Sequence, residues 1–129
     1  MSDGATSAKV SGESAELALA FLAEMSPDLR GAAILGGDGA VLAASGDRER
    51  WREDVAALFA VADRTGEPVE QIHIGTEQGE VFALRHAGLA AAVVTERFAL
   101  ASLTLFDMRS LLRDLAAGGD GRGREDDDA

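Results

Sequence analysis

The sequence predicts an α+β domain whose elements follow one another in the order αββαβββα. Three segments repeat apolar residues at helical spacing, and five shorter apolar runs are separated by turn-forming residues. The chain has 129 residues, of which 47% are hydrophobic. This length and composition fit a single domain with one core.

The three predicted helices have recognisable ends. The first covers Glu13 to Met25, contains no β-branched residue and stops before Ser26-Pro27, because the residue before proline avoids the helical region. The second follows Asp47, a good N-cap residue, and ends where Thr65-Gly66-Glu67-Pro68 supplies a glycine and then a proline. The third covers about Ala99 to Ala117 and ends at a glycine.

The five predicted strands form two groups. In the first group, Gly31–Leu35 and Ala40–Ala44 flank Gly36-Gly37-Asp38-Gly39, whose residues tolerate the positive φ of a tight hairpin. The second group is an antiparallel meander of three strands, Val69–Gly75, Glu80–His86 and Leu89–Val94.

The charge of the chain bounds its partners. It has 12 Lys and Arg against 23 Asp and Glu, a formal net charge of -11 and a pI near 4.4. Such a protein repels phosphate backbones and anionic headgroups, so we expect no nucleic-acid binding. We also expect no membrane insertion, because no apolar run approaches the roughly 18 residues of a membrane span. Residues 1–11 lack the features of a signal peptide and the chain has no cysteine, which suits a cytoplasmic protein.

The two ends differ in composition from the middle. Residues 1–12 are rich in Ser, Gly and Ala, and residues 118–129 end in the acidic run Glu125-Asp126-Asp127-Asp128. Both segments are predicted to be disordered, which leaves residues 13–117 as the folded domain.

No catalytic or cofactor motif is recognisable. The glycine-rich turn at Gly36–Gly39 is not followed by the Lys of a phosphate-binding loop, and His73 and His86 lack further ligands at zinc-site spacing. There is no cysteine and no Gly-x-Ser-x-Gly nucleophile elbow. We therefore predict that the protein is not an enzyme and that it has no metal and no cofactor.

The outer face of the second helix is unusual. A core stripe of Trp51, Val55, Leu58, Phe59 and Ala62 leaves small or acidic residues outside, namely Glu53, Ala56, Ala57 and Ala60. Small residues allow another helix to approach closely, which suggests a second packed surface. The alternative interpretation is that alanine is simply the best helix former.

The pattern resembles the Roadblock/LC7 family. The residues that carry the resemblance are the hairpin LRGAAILGGDGAVLAAS from Leu29 to Ser45, the stretches Gln71–Gly75 and Val81–Leu84, and the run that begins at Leu89. The resemblance covers Glu13 to Ala117. It implies a profilin-like architecture, a five-stranded antiparallel sheet with helices on both faces.

The resemblance also implies a function. Members of the family form homodimers through the second helix and the third strand, and they bind Ras-like small GTPases, as the bacterial polarity regulators do, or serve as scaffolds. On this chain, those elements supply the predicted interface residues Glu53, Ala56, Ala57, Ala60, Arg64, Gln71, Ile72 and His73. Two alternatives from other classes stay open, a small-ligand sensor module and a purely structural subunit of a larger complex.

Overall fold

The computed structural model describes residues 10–118. The segments predicted to be disordered, residues 1–12 and 118–129, lie almost wholly outside this range. Within it, the element order is α1 (Gly12–Met25), β1 (Leu29–Gly36), β2 (Val41–Ala44), α2 (Arg48–Ala62), β3 (Gln71–Gly75), β4 (Glu80–His86), β5 (Leu89–Thr95) and α3 (Ala101–Ala116). The predicted αββαβββα order is confirmed, with element ends that differ by a few residues at most.

The strands form one five-stranded antiparallel sheet in the order β2-β1-β5-β4-β3. The long central pair β1 and β5 joins the N-terminal hairpin to the C-terminal meander, with Ile34 opposite Ala91. This arrangement places β2 and β3 at the two edges of the sheet, and it confirms the predicted α+β class.

Polar caps fix where the first two helices begin. The Ser11 hydroxyl accepts a hydrogen bond from the Ser14 N–H at 3.0 Å, so α1 starts one residue earlier than predicted. The Asp47 carboxylate accepts from the Arg50 N–H at 3.1 Å and caps α2. The chain leaves α2 through a 3-10 turn, and Gly66 follows at a φ of 112° that favours glycine.

Helices cover both faces of the sheet, as predicted. Alternation along the strands sends Ile34 towards α1 and α3, whereas its neighbours Ala33 and Leu35 face α2. The α1/α3 core is the larger, and it contains the fully buried Phe82 and Met108. The other core is smaller because α2 alone covers that face. None of the helices in the described range is long and apolar enough to cross a membrane.

The edge formed by β2 is covered by a side chain. The Arg48 guanidinium donates hydrogen bonds to the carbonyl oxygens of Leu42 at 3.1 Å and Val41 at 3.4 Å. Arg48 is the first residue of α2, so the start of this helix occupies the carbonyl groups at one side of the sheet.

Candidate interaction surface

The opposite edge, β3, presents an unpaired backbone. The Arg85 N–H bonds to the Glu70 carbonyl and the Thr76 N–H to the Gly79 carbonyl, which fixes the even-numbered residues of β3 as those that bond to β4. Hydrogen bonding alternates along an antiparallel strand, so the N–H and C=O groups of Gln71, His73 and Gly75 point away from β4. Within residues 10–118, no other group pairs with them. The edge is therefore open to a further strand.

An uncovered apolar groove lies beside this edge. It occupies about 570 Å³ between α2 and the face of the sheet over β3, β4 and β5. Val61 on α2 and Ile74 on β3 are 57% and 38% exposed, although both are large and apolar. The remaining apolar lining comes from Trp51, Val55, Ala57, Leu58, Ala62, Ile72, Val81, Ala92 and Val94. We call this surface the β3 groove.

The structure divides the predicted interface residues of α2 between its two flanks. All of them are exposed, namely Glu53, Ala56, Ala57 and Ala60. Arg64, predicted on the same helix, is also exposed but lies beyond its end, in the 3-10 turn Asp63–Thr65. Ala57 lines the β3 groove, whereas Ala56 and Ala60 line a second groove on the other side of the helix. The alanine face is thus the crest of α2, and its two sides border different surfaces.

The predicted residues of β3 also lie on two faces. Ile72 packs beneath α2. His73 stacks on Phe82 of the α1/α3 core, with ring centroids 4.4 Å apart. The Gln71 side chain accepts a hydrogen bond from Arg109 of α3 at 2.9 Å. Gln71 and His73 can therefore contribute to a β3 interface through their backbone, while their side chains belong to the α1/α3 layer.

A hydrogen-bonded carboxylate links His73 to the connection between β5 and α3. Glu80 Oε1 lies 2.5 Å from His73 Nε2, and Glu80 Oε2 accepts from the Phe98 N–H at 2.8 Å. These two hydrogen bonds hold the pKa of Glu80 below its ordinary value, and the bond to His73 has the larger effect. The edge strand is in this way connected to the start of α3.

The second groove lies between α2 and the two hairpin turns, and it has a volume of about 910 Å³. Its floor is apolar, with Leu35, Val55 and Phe59. At its rim, Asp63 and Arg85 form an ion pair at 2.7 Å, and the Arg85 guanidinium lies 4.1 Å from the centre of the Phe59 ring. These two charged groups neutralise each other. We call this surface the turn groove.

Neither groove contains a cluster of potential metal ligands among residues 10–118. In the part of the chain that the structure describes, no three His, Cys, Asp or Glu side chains cluster closely enough to hold a metal ion. His86 Nδ1 instead lies 3.3 Å from a Glu70 oxygen. What these surfaces offer is the unpaired backbone of β3, apolar area, and the Asp63–Arg85 pair at the rim of the turn groove.

The two exposed large apolar residues of the β3 groove, Val61 and Ile74, were not among the interface residues predicted from the sequence. Both belong to elements that were placed correctly. A signal was present, because Val61 follows Ala60 on the exposed side of the helical stripe and Ile74 shares the face of Ile72 by strand alternation.

Comparison with solved structures identifies the fold. A Roadblock/LC7 domain from Streptomyces avermitilis superposes with a TM-score of 0.60 at 20% identity, over 75% of this chain and 87% of the other. The chain has the Roadblock/LC7 fold. A second Roadblock/LC7 structure from that organism gives a TM-score of 0.56 at 20% identity, over 78% and 91% of the two chains.

The Roadblock/LC7 fold also relates the chain to the gliding protein MglB. The structure from Thermus thermophilus has 19% identity and a TM-score of 0.54, and the likeness covers 88% of this chain and 94% of MglB. An MglB structure described as having a tetrameric arrangement gives the same TM-score at 21% identity, over 88% and 93% of the two chains. No family model and no curated protein matches the sequence. At identities near 20%, this likeness shows the fold.

Proposed function

We propose that this chain is a homodimeric binding module for a Ras-like small GTPase, and that it acts by binding, without catalysis of its own. The observation that carries the dimer is the unpaired backbone of β3 beside an uncovered apolar groove. An exposed edge strand is a liability that pairing with a second copy removes. A twofold dimer uses the same patch on both subunits, which suits an edge of this kind.

The geometry of β3 favours one register for the pairing. An antiparallel pair centred on His73 places Gln71 opposite the partner's Gly75 and His73 opposite the partner's His73. This register alone uses every outward backbone group of Gln71, His73 and Gly75 in both copies, because a shift along the strand leaves some of them unpaired. It also brings the two β3 grooves together on one face of a continuous sheet.

The β3 groove supports the same dimer energetically. Covering Val61 and Ile74 removes apolar area from water, at about 25 cal/mol for each Å² buried. The small Ala57 beside them lets another helix come close. Backbone pairing would therefore be accompanied by an apolar contact between the two copies of α2.

The GTPase part of the proposal rests on the fold and on its family resemblance. The chain carries no phosphate-binding loop of its own, so any nucleotide belongs to the partner. A binding module can change the nucleotide state of such a partner by ordering its switch loops. In the dimer, the exposed crests of the two α2 helices, each with Glu53, Ala56 and Ala60, would lie side by side at the centre and form one surface for the GTPase.

Light scattering on the purified full-length chain tests the dimer. We expect a dimer mass, which Ile74→Lys shifts towards the monomer because it places a charge in the β3 groove. The control is Phe106→Lys, which makes the same kind of change at an exposed apolar residue on the opposite face. A monomer mass that does not change with concentration at micromolar protein would contradict the proposal.

The GTPase is tested separately. The immobilised full-length chain is exposed to purified Ras-like GTPases loaded with GDP or with a non-hydrolysable GTP analogue. We expect one GTPase to be retained in one nucleotide state, and the Ile74→Lys variant to retain less of it. Equal capture of the GDP and GTP-analogue states would indicate that the chain acts as a scaffold for the GTPase and does not regulate it. No capture from a broad panel would argue against a GTPase partner.

A small-ligand sensor is the second candidate, and the turn groove favours it. Its volume lies within the range of about 300–1,000 Å³ that is typical of ligand sites. A sensor would bind a small molecule at Phe59 with Asp63 and Arg85 at the rim. Ligand-dependent shifts in melting temperature that Phe59→Leu abolishes would select this function.

A further inference from the structure

The outer surface of the α1/α3 layer carries an excess of exposed apolar side chains. Most of the large apolar residues that are exposed in residues 10–118 lie on α1, on α3 or in the connection that enters α3. Phe98 is 81% exposed and Phe106 63%, and the others are Leu17, Met25, Leu100 and Leu103. This surface lies on the face of the sheet opposite α2, so the proposed dimer would leave it open.

A small pocket lies within this surface, between the C-terminal end of α1 and the N-terminal end of α3. Its volume is about 130 Å³, room for roughly four water molecules at about 30 Å³ each. The lining is mostly apolar, with Leu22, Met25, Leu29, Val93, Leu100, Leu103 and Met108. A pocket of this size and lining accepts one extended side chain.

Two acidic residues line the pocket, the exposed Asp28 and, on α3, Asp107. The Asp107 carboxylate is the one set among the apolar side chains of the helix. It is half-buried, and among residues 10–118 it has no hydrogen-bond donor and no cationic partner. Burial raises the pKa of Asp107 above its ordinary value. A carboxylate in an apolar pocket without a partner costs free energy that a cation supplied by a ligand would recover.

Phe98 is held at the rim of this surface in a strained conformation. Its φ is 65°, a left-handed value that is uncommon for a bulky residue, and its N–H is bonded to Glu80. Strained residues persist where the surrounding structure imposes them, and they often cluster at binding sites. Here the strain accompanies an aromatic ring that points into water, a typical anchor of protein interfaces.

The charge of the layer decides between possible occupants. Helix α1 contains the exposed acids Glu13, Glu16 and Glu24 and has no Lys or Arg. On α3, Arg109 is engaged by Glu70 and Gln71 of the β3 edge, and the exposed Arg113 lies near the far end of the helix. In the connection, the Arg97 guanidinium lies 4.6 Å from the centre of the Phe98 ring. A second copy docked through this layer would bring the acids of its own α1 against Glu13, Glu16 and Glu24, whereas a basic segment would be attracted.

We propose that the pocket at Asp107 is a docking site for a basic amphipathic helix of a partner protein. A Lys or Arg of that helix enters the pocket, its aliphatic stem packs against Leu103 and Met108, and its charged end pairs with the Asp107 carboxylate. The apolar face of the helix covers Phe98, Leu100 and Phe106. The site is distinct from the β3 groove, so dimer and helix can be bound together.

The test uses a helical peptide of about 18 residues composed of leucine and lysine, since much shorter helices are marginal in water. Its affinity for the full-length chain is measured by fluorescence anisotropy, and methyl NMR spectra locate the contact. We expect shifts at Leu103 and Met108 and an affinity that falls about tenfold in Asp107→Asn. The same peptide with glutamate in place of lysine should not bind.

Asp114→Asn is the matched control, because it removes one carboxylate from the same helix outside the pocket. It should bind the lysine peptide like the wild type. Equal weakening by both variants, or shifts confined to the α2 face, would reduce the binding to general charge attraction and overturn the proposal. If Leu103→Glu instead changes the oligomeric mass of the chain, a second copy covers the surface, which also overturns it.

Discussion

The Arg85 guanidinium donates two hydrogen bonds to the Asp63 carboxylate, at 2.7 and 3.0 Å, and so ties the end of α2 to strand β4. The same carboxylate accepts from the Val69 N–H at 2.9 Å. These hydrogen bonds hold the pKa of Asp63 below its ordinary value of 3.8, and those from Arg85 have the larger effect. This junction sets the approach of the chain to β3.

The Asp63 junction makes stability sensitive to acid. Since the folded pKa lies below 3.8, its contribution is present above that value and is lost as pH falls through the folded pKa. Asp63→Asn should lower the free energy of unfolding at neutral pH. This free energy should then fall less steeply between about pH 5 and pH 2 than it does in the wild type. Urea unfolding at a series of pH values measures both effects.

The control for the Asp63 junction is Asp114→Asn, which removes a carboxylate with no hydrogen-bond partner in the described range. It should keep most of the acid dependence of the wild type. An Asp63→Asn curve that runs parallel to the wild-type curve would show that the bonds to Arg85 do not form in solution.

Trp51 connects α2 to the end of the N-terminal hairpin. Its ring lies against Gly31, and its Nε1–H donates to the Ser45 carbonyl at 2.6 Å. Trp51→Ala should lower the free energy of unfolding by about 2 kcal/mol, less than the roughly 3–5 kcal/mol of a fully buried ring, because Trp51 is only half-buried.

Trp51→Phe separates the hydrogen bond from the packing. It keeps an aromatic ring against Gly31 and should cost only about 1 kcal/mol. Urea midpoints give both values. Equal losses in the two variants would mean that the indole bond, and not the area of the ring, determines the contribution.

Gly79 permits a close backbone approach at the β3–β4 turn. A Cβ added there would lie well inside van der Waals distance of the Thr95 carbonyl oxygen, which is a backbone atom and cannot swing aside. Gly79→Ala should therefore destabilise the fold by about 1–3 kcal/mol. Gly12→Ala is the control, because a Cβ there makes only an ordinary van der Waals contact, 3.4 Å from the Leu42 carbonyl oxygen. Similar thermal midpoints in the two variants would disprove the close approach.

Val61 and Ala60 are neighbours on opposite flanks of α2. Val61 lines the β3 groove and Ala60 the turn groove. Both Val61→Glu and Ala60→Glu are expected to weaken the dimer. Val61→Glu should do so more strongly, because it places a charge in the apolar β3 groove, where the second copy is expected to pack. Sedimentation equilibrium gives the two dissociation constants. If Ala60→Glu weakened the dimer more than Val61→Glu, the two copies of α2 would meet on the side of the turn groove.

Local chemistry made much of the fold predictable from the sequence. The hairpin turn was indicated by Asp38-Gly39, and in the structure Asp38 accepts from the Ala40 N–H while Gly39 has a φ of 91°. Asp47 was expected to cap α2, and it does. Signals of this kind depend on neighbours within a few residues, so one sequence is enough to interpret them.

The surfaces were harder to predict because they depend on contacts between distant residues. Asp63 and Arg85 are separated by 22 positions, and nothing in either local sequence pairs them. Helical periodicity placed Leu103 and Phe106 on a helix but could not tell that this flank lacks a covering element. Strand alternation places the side chains of His73 and Ile72 on opposite faces of the sheet. The family resemblance nevertheless assigned both residues to one interface, because it implied a role for the whole strand.

The Arg48 contact has a consequence for how many subunits can join. A sheet with two open edges can add neighbours indefinitely and grow into a fibre. Here the carbonyl groups of Val41 and Leu42 are occupied by Arg48, so a strand added on the β2 side would have to displace this side chain. In the proposed dimer, in which β3 is paired, a single arginine would thus oppose further strand addition at the remaining edge.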